Sequence, residues 1–67
     1  MFILYWRIIS SAKGSYATGE VFGNPNFEDG TEIHTSTIQS TETLKDALII
    51  HTRNSIYRLP LDSKANW

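Results

Sequence analysis

The chain has 67 residues, of which 40% are hydrophobic and 12% aromatic, and its formal net charge is −1. That length predicts one small domain over residues 1–67, burying only roughly 60% of its unfolded surface. With no cysteine, disulfide stapling is excluded, and two histidines without thiolates disfavour a structural zinc site, so self-association is the expected source of extra stability. The near-neutral charge argues against a protein that coats DNA or RNA.

The most apolar stretch, Met1 to Ile9, carries Arg7 at its centre and lacks a basic leader. It is about half the length needed to cross a bilayer, so it reads as a buried strand and not as a signal or span. The expected location is the cytosol.

The elements follow in chain order. The first strand is expected over Phe2 to Ser10, with Phe2, Leu4, Trp6 and Ile8 on one face and Ile3, Tyr5, Arg7 and Ile9 on the other. Both faces are largely apolar, so one is expected to meet the barrel interior and the other a partner subunit. Trp6 is assigned to the core or the interface. Residues Ser11 to Ser15 read as a loop, and the second strand as Tyr16 to Phe22, with Gly19 marking a bulge or tight bend. Pro25 stops that strand, Asp29-Gly30 is a turn, and Phe27 is expected to pin the loop to the core. The third strand is expected over Thr31 to Ile38, followed by a polar loop or helical turn over Gln39 to Asp46. Ala47 to Arg53 and Ile56 to Leu59 read as a hairpin about Asn54-Ser55, which pairs Thr52 with Tyr57, His51 with Arg58 and Ile50 with Leu59. Pro60 ends it. Five short strands without a convincing helix predict an all-β fold, a small SH3-like or OB-like barrel that is oligomeric.

Charge is unevenly placed. Glu20, Glu28, Asp29, Glu32, Glu42 and Asp46 make an acidic middle, while Arg7, Lys13, Arg53, Arg58 and Lys64 make basic ends. The two can meet across an interface or within one fold. His51, Arg53 and Arg58 share one face of the expected hairpin, and guanidinium groups suit a phosphate through their planar paired donors. Thr35-Ser36-Thr37 offers three hydroxyls that bind phosphate oxygens without bringing charge. Tyr5, Trp6, Tyr16, Tyr57 and Trp67 are an ample aromatic supply for base stacking, with some needed in the core. Nothing resembles a nucleophile elbow or a triad framework, so no enzyme and no catalytic residue is expected. The Glu28-Asp29-Glu32 spacing does not match a calcium loop, and His34 with His51 makes a weak pair, so no metal or cofactor is expected.

The run Gly23 to Ser36 reads G-x-P-x-F-x-D-G-T-x-I-x-T-S. With Thr18-Gly19-Glu20-Val21 before it and Thr52 to Leu59 after it, it resembles small phage-encoded β-proteins, identified with the anti-CBASS and anti-Thoeris nucleotide sponges. The resemblance covers about residues 16 to 59. It implies an oligomer in the host cytosol that sequesters a cyclic dinucleotide or a cyclic ADP-ribose-like signal without cleaving it. A site at a subunit seam would let so short a chain enclose such a ligand. On this reading Thr35, Ser36, Arg53 and Arg58 hold phosphate, and Tyr16, Tyr57 and Asn24 hold base or ribose, while Phe27, Asp29 and Gly30 shape the loop. The alternatives are a small protein-interaction module that inhibits a host protein and, disfavoured by the charge, a single-stranded nucleic-acid-binding barrel.

Overall fold

The computed structural model describes residues 1–65, so Trp67 and its expected aromatic role lie outside the described residues. Six strands follow one another: β1 (Phe2–Ser11), β2 (Gly14–Phe22), β3 (Thr31–His34), β4 (Ile38–Thr43), β5 (Ala47–Thr52) and β6 (Ile56–Pro60), then a short 3-10 turn over Leu61–Ser63. They form one sheet in the order β3-β2-β1-β6-β5-β4. Every neighbouring pair is antiparallel except β1 and β6, which run parallel.

The fold is all-β, with two corrections to the expected five-stranded barrel. The segment expected as a loop or helical turn contains a sixth strand, β4, and the expected third strand breaks at Thr35-Ser36-Thr37. β4 is an edge strand with nearly every residue exposed. It therefore carries no alternating apolar signature to announce it. The second correction concerns closure. The sheet is open, ending at β3 on one side and β4 on the other, with no ladder between them.

It is nonetheless strongly curled. β3 and β4 lie at opposite edges, yet only residues 35–37 join them. Six strands laid flat would put the edges about 24 Å apart, while the link from His34 to Ile38 reaches at most about 14 Å. The chain resolves this by wrapping. The Thr35 amide donates to Ala17 O at 2.8 Å, the Ala17 amide donates to Thr35 Oγ1 at 3.0 Å, and a Cβ on Gly14 would sit 2.9 Å from Thr37 Cγ2.

The concave side holds the core: Ile3, Trp6, Ala17, Val21, Ile33, Ile50, Tyr57 and Leu59, with Ile38 and Leu48 packed against it. The expected two faces of β1 are corrected here. Its register against β2 shifts between Leu4 and Arg7, so that Tyr5 and Trp6 together oppose Gly19. A one-residue bulge reverses which side chains point inward. Ile3 faces the core before the bulge and Trp6 after it, leaving Phe2 and Tyr5 exposed. Gly19 is required at this point, because a Cβ there would lie 2.6 Å from Ile3 Cγ2 and 2.7 Å from Leu4 O. Tyr5 takes the left-handed conformation, at φ 53°, as a bulge residue does. The indole of Trp6 donates to Pro60 O at 2.7 Å, tying β1 to the end of β6.

The β5–β6 hairpin also turns one residue earlier than expected, about Arg53-Asn54. Ile50 pairs with Tyr57, Leu48 with Leu59 and His51 with Ile56. Thr52 sets this register. Its amide and its hydroxyl both donate to Ser55 O at 2.9 Å, and its Oγ1 accepts from the Ser55 amide at 3.1 Å. The loop after β1 is likewise shorter than expected, since Ser11 pairs directly with Gly14.

Candidate functional site

The parallel pairing of β1 with β6 decides where a site forms. It places the start of β6 beside the start of β1, and the antiparallel β2 ends there too. The 23–30 loop, the β5–β6 turn and the 35–37 link therefore gather at one end of the curled sheet. Between them lies a cleft of about 260 Å³. Its walls include Asn24, Asn26 and Phe27 from the loop, His34, Thr35 and Ser36 from the β3 end and the link, and Asn54, Ser55 and Tyr57 from the hairpin.

Four of the seven residues expected to contact ligand meet here: Asn24, Thr35, Ser36 and Tyr57. Asn24 and Tyr57 are each 6% exposed. The Asn24 amide donates to the Tyr57 hydroxyl at 3.3 Å, while Asn24 Oδ1 accepts from the Asn26 amide at 2.9 Å. The Tyr57 hydroxyl hydrogen and the second Asn24 amide hydrogen have no acceptor among the described residues. Thr35 is spent on structure, since its Oγ1 accepts from Ala17 and donates to Ser36 O at 2.8 Å. Ser36 Oγ is buried without any hydrogen-bond partner. A buried hydroxyl in that state costs about 1–3 kcal/mol, so it calls for an explanation.

The other three expected residues lie elsewhere. Arg58 donates to Asp46 at 3.1 Å, an exposed ion pair away from the cleft. Arg53 sits in the hairpin turn and is exposed, one residue before Asn54 but outside the cleft walls. Tyr16 lies on the outer face, with its ring 5.6 Å from that of His34. There it lines a second depression of about 210 Å³ with Tyr5 and Arg7. His34 lines both depressions and so marks the boundary between them. Of the expected shared face of His51, Arg53 and Arg58, two side chains meet carboxylates of the same chain. His51 Nε2 is 3.4 Å from Glu42 Oε1, and Arg58 is held by Asp46, so basic end meets acidic middle within one chain.

Phe27 is also corrected. It does not pin its loop to the core: it is 45% exposed and its ring lines the cleft. The loop is held by other means. The Gly23 amide donates to Asp29 Oδ1 at 2.9 Å and the Gly30 amide to Val21 O at 2.8 Å, with Gly30 at φ 88°. Asn26, Asn54 and Ser55 were not expected to meet a ligand. Asn54 and Ser55 were read as turn residues, and turn chemistry explains such residues without a ligand.

Among the described residues no group of three His, Asp or Glu side chains is placed to hold a metal, and no helix is long and apolar enough to cross a membrane. A larger, shallower depression of about 560 Å³ lies along Ile8, Ile38, Leu48 and the polar β4 edge. No family model, no curated protein and no solved structure matches this chain.

Proposed function

We propose that this protein binds and sequesters a nucleotide signal, a cyclic dinucleotide or a cyclic ADP-ribose-like molecule, in the cytosol of a host cell and without cleaving it. The observation that carries this reading is the meeting of Asn24, Ser36 and Tyr57 with the exposed Phe27 in one cleft. An aromatic side chain beside unspent neutral hydrogen-bonding groups is what base recognition uses. Sequestration asks for binding alone and needs no activated nucleophile.

The cleft is smaller than the roughly 300–1,000 Å³ of ligand pockets that enclose a whole small molecule. A dinucleotide therefore extends beyond it, and a second subunit of a homo-oligomer supplies the rest of the enclosure. Phe2, Tyr5 and Ile56, at 46%, 62% and 55% exposed, are large apolar groups available to such an association. Those same residues favour the second reading, a module that docks on a host protein. Calorimetry with a panel of cyclic dinucleotides and cyclic ADP-ribose isomers separates the two. Binding to a member of the panel supports sequestration, and a folded sample that binds none of them refutes it.

A further inference from the structure

Resting on the nucleotide reading, we infer that the cleft takes the uncharged heterocyclic end of the ligand, through hydrogen-bond donors, and that phosphate contributes little to binding there. Among the described residues no lysine or arginine lines the cleft. Arg58 is engaged by Asp46, and Arg53 stands outside the walls. The charges on the cleft's own loop are acidic, Glu28 and Asp29, so the local field disfavours a phosphate.

Apart from His34, whose ring neighbours Tyr16, what the walls offer is neutral and mostly donating. The Tyr57 hydroxyl accepts from Asn24 and keeps its own hydrogen to give, and Asn24 keeps one amide hydrogen. Ring nitrogens and ring carbonyls of a nucleobase are the matching acceptors. Thr35 is withdrawn from the site by its two internal bonds. Ser36 lines the same cleft and its Oγ has no protein partner, so a ligand there can supply the hydrogen bond it lacks. The exposed ring of Phe27 supplies the stacking surface. A cleft of about 260 Å³ admits one ring system rather than a sugar-phosphate backbone.

The test titrates the full chain with adenosine, guanosine, cytidine and uridine, with ribose 5-phosphate and inorganic pyrophosphate, and with the intact cyclic ligands. At least one nucleoside is expected to bind within about tenfold of the best intact ligand, and pyrophosphate and ribose 5-phosphate are expected not to compete with it. Phe27→Ala is expected to weaken the nucleoside by about 5- to 100-fold, and Arg58→Ala to leave it unchanged. Should an intact ligand bind while every nucleoside fails, or should pyrophosphate bind as tightly as the nucleosides, the inference is overturned and the nucleotide reading stands. Should none of the intact ligands bind, the nucleotide reading itself falls.

Discussion

Replacing Ser36 by alanine separates a ligand-binding hydroxyl from a structural one. In this structure the hydroxyl is buried and has no protein hydrogen-bond partner. That state costs about 1–3 kcal/mol, and alanine removes the cost. The lost oxygen leaves a void of roughly 10 Å³, which at about 24 cal/mol per Å³ returns only about 0.2 kcal/mol. Ser36 lies outside every strand, so no propensity term enters. The net is a stabilisation of about 1 kcal/mol, which for a domain of this size raises Tm by about 4–8 °C. The same substitution removes a ligand partner, so affinity falls even as the free protein gains stability. Thermal melts followed by circular dichroism, with and without a bound nucleoside, read both effects. A free Ser36→Ala protein that melts below the parent refutes the reasoning, because its hydroxyl would then have been satisfied. A higher Tm with undiminished affinity refutes only the ligand role.

Three further substitutions probe the fold. Gly19→Ala forces a Cβ to 2.6 Å from Ile3 Cγ2 and 2.7 Å from Leu4 O, and is expected to cost about 3 kcal/mol or more, a large share of the stability of so small a domain; a cooperative melt at the parent temperature would refute the bulge geometry. Trp6→Phe removes the indole bond to Pro60 O and is expected to cost about 1–3 kcal/mol, read as a lower urea midpoint at unchanged slope. Arg58→Ala breaks an exposed pair with Asp46 and is expected to change stability by less than about 1 kcal/mol; a larger loss in urea unfolding would mean the pair does more than its exposure allows.

The sequence reading succeeds where side-chain pattern and burial agree, and misses where an edge or a single inserted residue breaks that agreement. The hairpin shows both. Its turn lies one residue earlier than Asn54-Ser55 suggests, because the Thr52 hydroxyl closes the turn on Ser55. Moving a turn by one residue shifts the pairing by two, so every side chain keeps its face, and Ile50, Tyr57 and Leu59 share the core side. β1 behaves oppositely. The bulge at Tyr5-Trp6 inserts one residue and reverses the face of all that follows, so straight alternation put Ile3 and Trp6 on opposite faces although both are in the core. Gly19 signalled the bulge, but nothing in the apolar run said which two residues would oppose it. β4 was hidden because an exposed edge has no core to pattern it. In the site, the unspent polar groups were recognisable as residue types, whereas the pairing of Arg58 with Asp46 across the β5–β6 hairpin could not be foreseen.

The site owes more to chain topology than to any one motif. A meander of antiparallel strands would have spread the 23–30 loop and the β5–β6 turn along a flat sheet. Here a single parallel pairing, β1 with β6, brings them to the same end. The short 35–37 link then draws the two sheet edges together across that end, and it lays Thr35 and Ser36 against Asn24 and Tyr57. The hydroxyls of this link thus do unequal work. Thr35 bonds to Ala17 and holds the curl, while Ser36 is left without a partner by the same geometry. A link any longer would let Ser36 relax into water, and the edges would no longer be held at the distance that makes the cleft. Curling the sheet and stranding the hydroxyl are therefore one structural event, and it makes the cleft's least satisfied group the one most open to stabilisation by a ligand.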